Sequence, residues 1–204
     1  MSLIEETPAN KALITRIKMI LTKPVKEWEV IDAEPATAKG LYAGYACILA
    51  AISPICILLG GLGFGYNGFR PAILSGVVNA VIAYVLSLAM VFLLALVISA
   101  LATTFNGQKN PIQALKVSVY ASTAAWVAGV FNLIPALSPL AIIGGLYSLY
   151  LLYLGLPKLM KTPGDKALAY AGATILAAVV LSAVIGAIAP LDRLSGVGFV
   201  NLDR

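Results

Sequence analysis

KNPIQALKVSVYASTAAWVAGVFNLIPALSPLAIIGGLYSLYLLYLGLPKLMK, residues 109–161, consists of two apolar runs joined at Pro135-Ala136-Leu137-Ser138-Pro139 and closed at both ends by lysine. Each run approaches the ~20 residues an α-helix needs to cross ~30 Å of hydrocarbon. The short proline-flanked turn sends the second run back antiparallel to the first. The stretch therefore predicts a membrane hairpin with Lys109 and Lys161 on one side and Pro135 and Pro139 on the other.

The whole chain obeys the same solvent. Of its 204 residues, 60% are hydrophobic and 11% charged, far from the ~25% charged balance of soluble domains. From Glu34 to Asp165 no acidic residue occurs, and the charges between them are Lys39, Arg70, Lys109, Lys116, Lys158 and Lys161. They fall at the ends of apolar runs, as the cost of charge in hydrocarbon demands. The net charge of +5 accordingly reads as orientation signal and attraction to anionic headgroups, with no role in nucleic-acid binding. The chain has no histidine, which removes His-based catalysis and the usual zinc sites. Cys47 and Cys56, nine residues apart on one run, cannot bridge and read as small buried hydrophobes. No metal or other cofactor is expected.

Three further runs flank the hairpin. Residues 40–60 hold Pro54, a kink, and the pair Gly40 and Gly44, a spacing that permits close helix approach. The glycine-rich GGLGFGYNGFR after it reads as a loop, since a phosphate-binding fingerprint needs a βαβ unit and a following carboxylate. Residues 71–105 would extend about 50 Å as one helix, so they either tilt and protrude or bend. On them Gly76, Asn79, Ala80, Ala83 and Ser87 make a small-residue stripe for helix packing. Residues 167–188 form the last run, stopped by Pro190. Before the first run, Leu13, Ile14, Ile17, Ile20 and Leu21 recur at helical spacing with Arg16 and lysines at the stripe's edges, predicting an amphipathic helix in the membrane interface. Pro24 ends it, and Trp28 reads as a headgroup anchor.

The fold class is thus all-α and polytopic: a five-transmembrane-helix bundle (residues 40–189), an N-terminal cytoplasmic segment with an interfacial amphipathic helix (residues 1–39), and a short tail outside (residues 190–204). With the N-terminus inside, Lys11, Arg16, Lys18, Lys23, Lys26, Lys39, Lys109, Lys116, Lys158, Lys161 and Lys166 are cytoplasmic, and only Arg70, Arg193 and Arg204 lie outside. That bias sets N-in, C-out. The N-terminal segment has no apolar core of a secretory signal and is expected to stay on the side where it is made.

ILTKPVKEWEVI before the first run, GLYAGY at its start, VYASTAAWVAGVFNLIP in the third and LYSLYLLYLGLPKLMKTPGDKALAY leaving the fourth resemble the bacterial branch of the Yip-domain family of multi-pass membrane proteins. YLLYLGLP is the most specific piece, and the likeness runs from about Ile20 to Ile188. The resemblance implies a five-helix bundle with a cytoplasmic N-terminus in the bacterial inner membrane. Its eukaryotic relatives are named for association with small Ypt/Rab GTPases and act in vesicle traffic between ER and Golgi.

Two functional readings follow. In the first, the chain is a non-enzymatic scaffold or adaptor that binds proteins or lipids through its small-residue faces and basic surface. In the second it is a small-solute or ion transporter, working as a homo-oligomer, with a path lined by Asn79, Lys116, Tyr120, Thr123, Asn132, Tyr147 and Tyr150 and opened by kinks at Pro54, Pro135 and Pro139. Lys116 is expected to snorkel back to the interface, the alternative being a buried cation at a cavity mouth. Tyr147, near mid-membrane, needs a hydroxyl partner. An enzyme is not expected: Lys116 and Ser118, the nearest approach to a base and nucleophile, leave different sides of one helix.

Overall fold

The computed structural model describes residues 8–65 and 73–188. Arg70, Pro71, the end of the glycine-rich loop and the tail with Pro190, Arg193 and Arg204 lie outside the described residues. Two helices, α1 (Pro8–Thr22) and α2 (Pro24–Ala33), precede five that are long and apolar enough to cross a membrane. These are α3 (Ala38–Gly63), α4 (Ile73–Phe105), α5 (Pro111–Leu133), α6 (Pro135–Leu159) and α7 (Gly164–Ile188).

Prolines punctuate the chain. Pro24 and Pro111 take the first turns of α2 and α5, where a missing N–H costs nothing. The Asn110 side chain accepts from the amides of Ile112 and Gln113 at 3.1 and 3.2 Å, a regular N-cap. In α3 the α-helix is interrupted at Ala51, next to the residue whose carbonyl Pro54 cannot serve, and a π-helical turn covers Tyr42–Ala46. α4 is one unbroken α-helix from Ile73 to Leu101 with a 3-10 turn at Ala102–Phe105. Pro135 and Pro139 lie in a 3-10 segment, Pro135–Leu140, that leads into the α-helical part of α6.

α5 stands in the middle. About two thirds of its apolar window is buried, 67%, against 33% or less for the other four. α3, α4 and α6 surround it, and α7 closes the side formed by α4 and α6. Hydroxyls and an indole N–H sew the helices together: Tyr42 Oη donates to the Leu88 carbonyl (3.1 Å), Tyr84 Oη to Cys47 (3.1 Å), Ser118 Oγ to Val91 (2.6 Å) and Trp126 Nε1 to Ser87 Oγ (3.1 Å). Tyr170 Oη donates to the Ile98 carbonyl. Where lipid replaces water, such donors must find protein partners. The expected stripe on α4 does face a neighbour, since Ser87 meets Trp126 and a Cβ on Gly76 would fall 2.8 Å from the Leu58 side chain.

The N-terminal segment departs from expectation. α1 and α2 form a helical hairpin packed on α5 and α6, and Ile20, Trp28 and Ile31 are at most 1% exposed. Trp28 is not a headgroup anchor: its indole sits against Gly155 of α6, where an added Cβ would come within 2.7 Å of the ring, and lies edge-on to Tyr120 at 6.5 Å. The apolar stripe of α1, Ile14 excepted, found protein where lipid had been expected. Two smaller corrections follow. Gly40 and Gly44 do not mediate close helix packing, because a Cβ on Gly44 would meet nothing within 4 Å. Cys47 and Cys56 are half-buried free thiols rather than core residues.

Candidate functional site

The N-terminal hairpin roofs a cavity of about 600 Å³ between α1, α3 and α5. Arg16 of α1 is its hub. One guanidinium nitrogen donates to Glu27, and another reaches both carboxylate oxygens of Glu34 at 2.5 Å. The guanidinium carbon also stands 5.7 Å from the centre of the Tyr120 ring, within cation–π range. Burial opposes the Arg16 charge, but hydrogen bonding and Coulombic attraction to Glu34, with Glu27 adding, outweigh it and hold its pKa above the ordinary value. Across the cavity Lys116 of α5 is 3% exposed. Its ammonium donates to the carbonyls of Ile31, at 2.8 Å, and Glu34. These are carbonyls that the end of α2 leaves unpaired, so a lysine from a spanning helix caps it.

Snorkelling of Lys116 is thereby corrected: α2 covers its route to the interface, and the buried cation at a cavity mouth is what forms. Tyr120 and Thr123 join the same neighbourhood. Tyr45 of α3 packs edge-on to Tyr120 at 4.8 Å and shares a hydrogen bond with Thr123 Oγ1 at 2.9 Å. The remaining residues expected on a path lie elsewhere. Asn132 donates to Ser53 Oγ at 3.2 Å near the opposite end of the bundle, and Asn79 Oδ1 is buried without a partner on α4. Tyr147 donates to the Leu21 carbonyl of α1 at 2.8 Å. Tyr150 is 45% exposed and touches only the Tyr147 ring among the path residues, at 5.5 Å. Among the described residues the seven do not share one cavity: Lys116 and Tyr120 line it, and Tyr147 lines a separate apolar groove. Ser118 turns to α4 and Lys116 to α2, so they do not meet as nucleophile and base.

Arg16, Glu27, Glu34 and Tyr45 are central here, and the sequence had not marked them as site residues. The signal was present: Glu27 and Glu34 are seven apart, two helical turns on one face with Ile31 between, and Arg16 is the one arginine in a lysine-rich segment. Arginine is the cation suited to buried bidentate pairing. A second set of contacts pins the outer end of α2, with Lys158 to Glu29 at 3.0 Å and Lys161 to Asp32. Gln113 Nε2 lies 3.3 Å from both Asp32 oxygens available to it, carbonyl and carboxylate.

Five membrane-length helices, four of them placed about a central α5, with a helical pair clamped by buried charge on the lysine-bearing end, define an all-α polytopic membrane protein. The Yip1 domain family matches the chain over residues 18–186, and the chain belongs to that family. The matched range begins inside α1 and so takes in α2 together with the spanning helices. The chain is similar to "Inner membrane protein YohC" of Escherichia coli strain K12, 27% identical over 174 residues, covering 81% of this chain and 89% of the relative. The protein of the same name from E. coli O6:H1 strain CFT073 is similar to the same extent. No solved structure matches the chain.

Proposed function

We propose that this protein is a scaffold of the bacterial inner membrane, with its N-terminus in the cytoplasm, that carries out no catalysis and holds proteins or lipids at its lysine-bearing end. One observation carries the reading: α1 and α2 are locked to the spanning helices by Arg16, Glu27, Glu34 and Lys116. The lock presents a fixed outer face on which Ile14, Val25 and Val30 are 53%, 59% and 46% exposed among the exposed Lys18, Lys23 and Lys26. Apolar side chains held rigidly among cations suit a docking platform, because little ordering entropy remains to be lost on binding. The inner-membrane name of the relatives and the lysine bias of the loops support the location and orientation.

A photoreactive residue at Val30 in the full chain, crosslinked in native membranes, tests it. A defined protein adduct that disappears when Arg16→Ala loosens the hairpin is the expected result. Adducts to lipid and to the chain itself alone, together with unchanged membrane organisation on deletion, would overturn the scaffold reading.

A further inference from the structure

A second concavity, of about 460 Å³, lies between α5 and α6 and is lined almost wholly by carbon. Its walls include Val127 and Phe131 of α5 and Leu140 and Ile143 of α6, and its upper end is Leu21 and Tyr147. From Ala124 to Phe131 it follows α5 for about 10 Å. The floor is the tight crossing of the two helices, where a Cβ on Gly144 would fall 2.2 Å from Ala128 Cβ. The Tyr147 hydroxyl, which could have made this end polar, is spent on the Leu21 carbonyl.

The end at Leu21 is also the tip of the α1–α2 hairpin. Lys23 leaves the chain two residues after Leu21 and Lys26 lies one turn further, both exposed, and neither has an ion-pair partner among the described residues. The acids nearest in sequence, Glu27 and Glu29, are already committed to Arg16 and Lys158. Tyr150 and Tyr153, 45% and 39% exposed, stand on α6 near this level, as aromatic side chains do where hydrocarbon meets headgroups. Free cations thus mark the polar boundary, and the apolar groove begins beneath them.

We propose that the groove and the hairpin tip together form a binding site for one anionic phospholipid, an acyl chain lying along Val127, Phe131 and Ile143 and the phosphate meeting Lys23 and Lys26. Charge selects this occupant over a second copy of the chain, whose own lysine-rich tip would be repelled. A soluble peptide is excluded by place, since the groove runs down two membrane-spanning helices. The site gives the lipid half of the scaffold reading a definite address.

The test uses the full chain in neutral detergent and native mass spectrometry, titrated with dioleoyl-phosphatidylglycerol, dioleoyl-phosphatidylcholine or glycerol phosphate. One phosphatidylglycerol should be retained in preference to phosphatidylcholine by roughly tenfold, and glycerol phosphate should not compete at equal concentration. Lys23→Gln with Lys26→Gln should abolish the preference while leaving the circular dichroism spectrum unchanged. Ile143→Trp, which fills the groove from its exposed lip, should weaken both lipids and keep their ratio. The proposal is overturned by a preference that survives the double lysine variant, by retention indifferent to Ile143→Trp, or by competition from glycerol phosphate, which would make the site a free-anion site. A chain that retains the lipid but crosslinks to no protein fails the protein half of the scaffold reading and leaves this one standing.

Discussion

Arg16 and Lys116 show how far one residue's role depends on what covers it. Arg16 pairs with two carboxylates of different exposure, Glu27 with 7% of its side chain exposed and Glu34 with 44%. A buried pair broken on one side leaves the other charge stranded, whereas a solvated one is worth little. Arg16→Ala should therefore destabilise the protein by on the order of 3 kcal/mol, and Glu27→Gln should cost clearly more than Glu34→Gln. Denaturant unfolding of the full chain in detergent, followed by tryptophan fluorescence, measures all three; equal losses for the two glutamate variants would mean that water reaches both pairs alike. The sequence offered burial of Lys116 only as the alternative to snorkelling, and it did not single out Arg16. A lysine in the second turn of a helix is free to snorkel unless something blocks it, and the block, α2, comes from about 85 residues away in the chain. Tyr147 was legible in its need for a partner, though nothing in the sequence names the backbone carbonyl of Leu21.

At the scale of elements, the amphipathic pattern of α1 was read correctly and its partner was not, because a stripe of isoleucine and leucine fits lipid tails and a protein groove equally well. The distinguishing residue is Gly155. It lets the Trp28 indole lie flat against α6, and any Cβ there meets three ring atoms within 2.9 Å. Gly155→Ala should push α2 off α6 at a cost of about 1–3 kcal/mol. Since a helix is cut only after it opens locally, trypsin should cleave at Lys18 and Lys26 several times faster in this variant, with the spanning helices still resistant; Lys23, followed by Pro24, is not a tryptic site. Cleavage at the parental rate would show that Trp28 is not what holds the pair.

The whole molecule was the most legible of the three scales, because hydrocarbon imposes length and charge rules that a single sequence displays directly. Five apolar runs became five membrane-length helices, and the hairpin reverses at Ile134, one residue ahead of the Pro135–Pro139 segment expected to form the turn. The lysine census yields an orientation to be measured: a cysteine replacing Ser138 should react with an impermeant maleimide from outside, and one replacing Lys109 only after the cytoplasmic face is opened. The reverse pattern would invert the molecule and its N-in, C-out assignment. The docking of the first two helices has a further consequence, in time rather than space. Leu21 meets Tyr147 across 126 positions, and Glu29 meets Lys158 across 129. A ribosome adding about 5–20 residues per second leaves the hairpin without these partners for roughly 6–25 s. The part of the chain made first is thus among the last to settle, and during synthesis its apolar stripe is open to whatever waits at the nascent chain's side of the membrane.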